Sequence, residues 1–186
     1  MKKGLLILMS LLLLVLPACK ADDHAAQMSS DKIEAVQLHA SKETYKSIDQ
    51  LIENSQNIVI GQVTVVDSYL VDDPNLRFNY YNTLSSVQTT EWLLGEQKLE
   101  SISLKQMGAP DQQEPEPKVK AGSTYILFLS DETPGAKAGY WATNLCDGVF
   151  EIVGGKVYSY SDNPVMQAYN GKTLEEFTAL VREKIK

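Results

Sequence analysis

Cysteine and histidine are the side chains best suited to nucleophilic or metal chemistry, and this sequence is poor in both. The 186 residues include 2 Cys and 2 His, which are Cys19, Cys146, His24 and His39. Both histidines precede the segments with regular hydrophobic periodicity, so we do not expect either of them beside Cys146 as the base that a cysteine nucleophile needs. Cys146 is predicted to be a buried, inert thiol, with a redox-sensing thiol as the alternative.

Acidic residues form two clusters, and both lie between the predicted strands. They are Asp72, Asp73 with Asn75, and Asp111, Glu114 and Glu116. Calcium takes about six to eight oxygen ligands, but neither cluster has the glycine and the final glutamate of an EF-hand loop. We predict solvated turns with no metal and no cofactor, and no P-loop, HExxH or GxSxG pattern is present. Paired carboxylates of a glycoside hydrolase remain open, because acids far apart in sequence can meet in space.

The first residues have the pattern of a secretion signal. Lys2 and Lys3 precede an apolar run over residues 5–16 that only Ser10 interrupts. As a helix this run would be about 18 Å long, whereas the hydrocarbon core of a bilayer is about 30 Å thick. The run therefore predicts a signal peptide rather than a membrane span.

The end of this run and the three residues after it, Leu16 to Cys19, resemble the lipobox of bacterial lipoproteins. Leu16, Pro17 and Ala18 place an aliphatic residue and a small residue before Cys19. The resemblance implies that residues 1–18 are removed and that the Cys19 thiolate takes a diacylglycerol, after which its new amine is acylated. Two or three acyl chains hold a protein stably, so the implied location is the cell membrane, on its extracytoplasmic face. The alternative is an ordinary secretory signal cleaved after Ala18, with Cys19 left unmodified.

Composition indicates one globular domain and argues against nucleic acid as a partner. Hydrophobic residues make up 44% of the sequence, and the formal net charge is −7. Loss of Lys2 and Lys3 with the signal would make the mature chain still more negative, and such a charge repels phosphate backbones. We divide the chain into a signal peptide (1–18), a lipidated tether (19–45) and a folded domain (46–186).

Periodicity within the domain predicts strands between two helices. Ser47 and Gln50 fit the start of a short helix that ends near Asn54, and Thr173 with Glu176 fits a capping box. A Gly154-Gly155 pair predicts a hairpin. β-branched and alternating segments predict strands at residues 58–71, 78–94, 101–105, 125–129, 140–146, 149–153 and 156–160. The C-terminal helix has one apolar face, formed by Leu174, Phe177, Leu180, Val181 and Ile185.

The predicted fold is mainly β: a small antiparallel OB-like barrel with a short helix before it and an amphipathic helix after it. The segments NIVIGQVTVV, EWLLGE, ISLKQ, VKAGSTYILFLS and GVFEIVGGKV resemble small extracytoplasmic domains of this type. They are distantly similar to the netrin-like modules of the tissue inhibitors of metalloproteinases. Those inhibitors chelate zinc through a free N-terminal cysteine amine, which an acylated Cys19 could not supply, so we do not expect their mechanism here.

OB-type barrels bind ligands with one strand face and the adjoining loops. We therefore predict candidate binding aromatics and a candidate recognition loop over residues 108–122. The aromatics are Tyr80, Tyr81, Tyr140 and Trp141, with core packing as their alternative; the loop carries Asp111, Glu114 and Glu116. Because the loop is expected to be exposed, replacing residues 111–118 should hardly change the melting temperature.

The sequence as a whole favours a membrane-tethered, non-enzymatic binding or cell-envelope interaction module whose partner is an unknown envelope protein or ligand. The alternative is a cell-surface hydrolase that uses paired carboxylates.

Overall fold

The structure is a computed structural model that describes residues 44–72, 79–95, 99–111, 116–134 and 137–185. All of these residues belong to one compact unit. The predicted signal, the residues Leu16 to Cys19 and the tether up to residue 43 lie outside the described residues. The same holds for His24, His39, Asp73, Asn75 and Glu114.

The described residues form seven strands and three α-helices, which confirms the prediction of a mainly β domain with a helix before it and a helix at its C-terminal end. The strands are β1 (Asn57–Val71), β2 (Tyr80–Leu94), β3 (Ser101–Met107), β4 (Thr124–Leu129), β5 (Tyr140–Trp141), β6 (Val149–Val153) and β7 (Lys156–Ser159). The helices are α1 (Ile48–Glu53), α2 (Pro164–Gln167) and α3 (Leu174–Lys184), and a 3-10 turn spans Leu145–Gly148.

The strands pair in the order β5-β3-β2-β1-β4-β6-β7. Every pair is antiparallel except β3 with β5, which is parallel. This mixed sheet is not closed, so the barrel is not confirmed. One isolated bridge, Leu129 with Ala142, joins the end of β4 to the residue after β5. Beside it the Ser130 N–H donates to the Trp141 carbonyl oxygen at 3.0 Å.

Two apolar layers lie on opposite faces of the central strands. The layer under the helices contains Ile58, Ile60, Ile126, Phe128, Phe150, Phe177 and Val181. The second layer, which we call the inner layer, lies on the opposite face and contains Val59, Val63, Val87, Leu104, Tyr125, Leu127 and Tyr140. Side chains alternate between faces along a strand, so β4 supplies residues to both layers. Its five residues 125–129 are all buried, as their continuous apolar run predicts.

Local signals place the helix ends and the last hairpin where the sequence predicts them. The Ser47 Oγ accepts from the Gln50 N–H, and α1 ends before Asn54. At α3 both bonds of the capping box between Thr173 and Glu176 are present. Gly154 and Gly155 have φ of 57° and 74° and join β6 to β7, in the left-handed conformation that favours glycine in such turns.

Two predicted boundaries are wrong, and one helix was not predicted. Tyr45, assigned to the tether, is 8% exposed in the helix-side layer, and its carbonyl oxygen accepts from the Asn163 side chain. The strand predicted over residues 140–146 ends at Trp141, and Asn144 and Leu145 adopt φ of 50° and 57° at the start of the 3-10 turn, which is not an extended conformation. The sequence pattern did not predict α2, a four-residue helix with Asn163 as its N-cap.

Candidate functional site

The site is built on the side of β1, β2, β3 and β5 that faces away from the inner layer. Strand register aligns Asp67 with Leu84, Leu84 with Lys105, and Lys105 with Trp141, so one row of side chains crosses four strands. Residues directly opposite each other in a sheet share a face. The next rows on that face are Tyr69, Asn82 and Met107, and then Val71 with Tyr80. We call these nine residues the outer face.

The described part of the loop between β4 and β5 makes two contacts with the outer face and also approaches the backbone of β3 closely. The Lys105 Nζ donates to the Thr133 Oγ1 at 2.6 Å, and the Lys137 Nζ lies 5.2 Å from the centre of the Tyr69 ring. A Cβ on Gly139 would be 2.7 Å from the Ser103 carbonyl oxygen, so the loop can approach β3 this closely only with glycine there. The loop therefore lies beside the outer face and contacts it at Lys105 and Tyr69.

Lys105 is almost fully buried although its side chain lies on the outer face. Only 7% of the residue is exposed, and its Nζ lies 5.9 Å from the centre of the Trp141 ring. Burial lowers the pKa of Lys105, and the charge of Glu132 opposes that shift. A lysine held on an aromatic ring and a hydroxyl is positioned for cation–π and hydrogen-bonding contacts with a bound molecule.

Asn82 leaves a buried polar atom without a hydrogen bond in the described residues. The residue is 4% exposed, and its Nδ2 donates to the Tyr69 hydroxyl at 3.4 Å while its Oδ1 has no partner there. Exchanging the oxygen and nitrogen of the amide would still leave one of the two atoms unbonded. Such an atom costs stability, and a bound group could satisfy it.

The structure separates the four predicted binding aromatics. Tyr80 and Trp141 belong to the outer face, whereas Tyr81 lies on the opposite side of β2 and is 39% exposed. Tyr140 is 4% exposed in the inner layer, so the prediction that it is an exposed binding residue is wrong. Burial, followed by the charges of Glu132 and Asp131, raises the pKa of Tyr140. Adjacent residues of a strand point to opposite faces, so neither Tyr80-Tyr81 nor Tyr140-Trp141 could act as a pair.

The predicted recognition loop is exposed only in part. Asp111 is exposed, but Glu116 is 2% exposed and its Oε1 accepts from the Met107 N–H at 3.1 Å. Lys118 and Val119 are also buried. The prediction that Glu116 is a presented acid is therefore wrong, because the second half of the loop packs along the end of β3.

Cys146 is buried, with 8% exposure, next to a polar cluster. The fully buried Asp147 accepts from the Ser161 Oγ, and its other oxygen accepts from the Asn144 Nδ2 at 2.6 Å. The Ser161 Oγ accepts in turn from the Asn163 N–H at 2.9 Å. These bonds tie the 3-10 turn to the segment before α2. A serine activated as a nucleophile needs a neighbouring base, and no histidine occurs in the described part of the chain.

Glu116 and Asp147 are the two buried acids of the described residues. Glu116 accepts from the backbone of Met107, whereas Asp147 accepts from the side chain of Asn144, so the two acids have different partners. Within the described ranges no group of three or more His, Cys, Asp or Glu side chains could hold a metal ion. None of the helices in these ranges is long and apolar enough to cross a membrane. The chain matches no protein-family profile. It also matches no curated protein sequence.

Proposed function

We propose that the protein is a lipid-anchored, non-enzymatic binding module of the cell envelope, and that its outer face binds the partner. The anchor would be the lipid on Cys19, and the location the extracytoplasmic face of the cell membrane. The apolar run over residues 5–16 and the lipobox resemblance of Leu16 to Cys19 support this part of the proposal.

One observation carries the binding part: the outer face combines half-buried aromatic rings, a lysine held on a ring and an unsatisfied amide on four paired strands. Tyr69, Tyr80 and Trp141 are each half-buried. Aromatic side chains with a polar group nearby are enriched among residues that dominate binding energy. Because the paired strands already hold these side chains in place, ordering them when a ligand binds would cost little entropy.

The order of strand neighbours favours the same face. The pairs β1-β2, β2-β3 and parallel β3-β5, with the bridge from β4 to Ala142, are the neighbours expected in a partly open OB-type barrel. Such barrels bind on the face of strands 2 and 3, together with the loops after strands 1 and 4. Here the loop after β4 supplies Thr133 and Lys137 to the outer face. We propose an OB-like binding mode on these grounds.

Removing two aromatic rings from the outer face is expected to abolish most of the binding. Tyr80→Ala combined with Trp141→Ala should reduce capture of the envelope partner by the immobilised protein about tenfold or more, since truncating a binding hot spot costs at least about 2 kcal/mol. Capture is measured from cell-envelope extract, with thermal melting to check that the variant is folded.

Val153→Ser is the matched control, because this side chain is 53% exposed at the end of β6 and does not belong to the outer face. It should capture as much as the unmodified protein. Equal capture by the aromatic double variant would contradict the proposal. Turnover of an envelope substrate that a single Asp or Glu substitution abolishes would replace it with the hydrolase alternative.

A further inference from the structure

One side of the second half of β1 is unpaired among the residues that the structure describes, and we call it the free side. β1 pairs with β4 only from Asn57 to Gln62, and Val63 then bonds to the backbone of Gly122 and Ser123. From Val65 to Val71 the strand pairs with β2 on one side, and no described residue pairs with it on the other. β7, by contrast, bonds through Val157 to the backbone of residues 171 and 172.

The hydrogen bonds that β2 makes with β3 and with β1 determine where the backbone groups of this segment point. The Gly108 N–H donates to the Tyr81 carbonyl oxygen, so the backbone of Tyr81 points away from β1. Because these groups alternate along a strand, the backbone N–H and C=O groups of Asn82 point towards the opposite residue in β1, Tyr69. In β1 the N–H and C=O groups of Val66, Ser68 and Leu70 must therefore point to the free side.

The side chains along this edge are suited to pairing rather than to preventing it. Val65 and Leu70 are 54% and 47% exposed, and Asp67 is the only charged residue from Val65 to Val71. Native edge strands are usually short, charged, interrupted by proline or covered. An edge of outward-pointing backbone donors and acceptors is chemically matched by another β-strand.

We propose that this edge pairs antiparallel with the same edge of a second copy of the chain, about a two-fold axis at Ser68. An axis perpendicular to the sheet joins two copies while keeping each face continuous. Val66 then lies opposite Leu70 of the partner subunit, and Val65 lies opposite Val71 of the partner subunit. Asp67 lies opposite the partner's Tyr69, whose hydroxyl can donate to the carboxylate.

Neighbouring registers that keep the faces continuous are worse. An axis at Asp67 would place two carboxylates directly opposite each other, which is destabilising. An axis at Tyr69 would place Asp67 opposite the partner's Val71 and Val66 opposite the partner's Asp72. A shift by a single position would pair side chains that belong to opposite faces. Of these three registers, the axis at Ser68 gives the most complementary set of cross-strand neighbours.

Asp67 weakens this pairing. Its Oδ1 accepts from the Ser68 N–H at 2.7 Å, and this bond must break before the Ser68 N–H can donate to the partner subunit. In the dimer the two Asp67 carboxylates would also be diagonal neighbours on one face, at about 7–8 Å. Asp67→Asn removes this charge repulsion, although its amide oxygen can still accept from the Ser68 N–H, and should tighten association about two- to fivefold, from the usual range of cross-strand charge effects.

Disulfide trapping in membranes that contain the full-length protein tests the register directly. Residues opposite each other in a hydrogen-bonded antiparallel pair have Cα atoms about 5.5 Å apart, within disulfide range. Ser68→Cys should form a covalent dimer under mild oxidation, and Val153→Cys should not. Equal dimer in the two variants, or a crosslink of Ser68→Cys to a different protein instead, would overturn the proposal.

The second test measures the molecular mass, and so the oligomeric state, of the full-length protein solubilised in detergent. The unmodified protein should be a dimer and Ser68→Pro a monomer that still melts cooperatively, because the Ser68 N–H points away from β2 and proline is tolerated at such an edge. A monomeric unmodified protein at about 100 µM, well above a typical micromolar dissociation constant, would also overturn the proposal.

Discussion

Phe177→Ala is expected to reduce the free energy of unfolding by about 3–5 kcal/mol, the range for emptying a buried aromatic site. Phe177 is fully buried where α3 meets the sheet. Its ring centre lies 4.9 Å from that of Phe150, 5.6 Å from that of Tyr169 and 6.4 Å from that of Phe128. Truncation would leave these three rings around a cavity, and a rigid sheet cannot collapse to fill it.

Denaturant unfolding measures this effect, and Arg182→Ala is the matched control on the same helix. The Arg182 side chain is 51% exposed and pairs with Glu91, so its loss should cost no more than about 1 kcal/mol. If Phe177→Ala also cost less than about 1 kcal/mol, α3 would not be docked as described. The apolar face of α3 would then be available to a partner or a membrane surface.

Gln106→Ala is expected to cost about 2–4 kcal/mol, because it would remove the partner of one buried and one partly buried backbone group. Gln106 is fully buried near the end of β3. Its Nε2 donates to the Pro117 carbonyl oxygen at 2.9 Å, and its Oε1 accepts from the Val119 N–H at 2.9 Å. One side chain thus holds the second half of the loop over residues 108–122 against the sheet.

Gln88→Ala is the control for Gln106→Ala in thermal or denaturant unfolding. Gln88 lies in β2, and its exposed side chain makes a single bond, to the Glu100 carbonyl oxygen at 2.8 Å. Its loss should change stability by about 0.5 kcal/mol or less. Equal costs for the two substitutions would mean that the loop is not held by Gln106. The same bonds make us expect that replacing residues 111–118 destabilises the protein, contrary to the sequence-based prediction.

Features that depend on short-range signals could be predicted from the sequence. The capping box at Thr173 and Glu176, the hairpin glycines Gly154 and Gly155, and the alternation along β1 each act within a few residues. The apolar face of α3 was predictable for the same reason, because its residues recur at the spacing of a helix.

Features that depend on long-range contacts could not be predicted. A loop with three prolines and several acids has the composition of an exposed segment, and nothing in it indicates that Gln106 bonds to its backbone. The early end of β5 depends on left-handed conformations at Asn144 and Leu145, which are uncommon for leucine. The α2 helix has only four residues, too few to show a helical period.

The candidate site was predictable only in part. The alternation of side chains along a strand already implies that Tyr80 and Tyr81 lie on opposite faces, so the sequence could have excluded one of each adjacent aromatic pair. The contribution of Lys105 could not be found in this way. It depends on the register that aligns Leu84, Lys105 and Trp141 across three strands, and register is set by the whole sheet.

Metabolic labelling with radioactive palmitate tests the central claim, a lipid-anchored envelope protein, most directly. The unmodified protein and the control Cys146→Ser should both incorporate label and appear at the size of the processed chain. Cys19→Ser should carry no label and remain an unprocessed precursor, because the lipid is transferred to a cysteine thiolate and serine has no thiol. Label on Cys19→Ser, or an unmodified protein that is processed without label, would contradict the account.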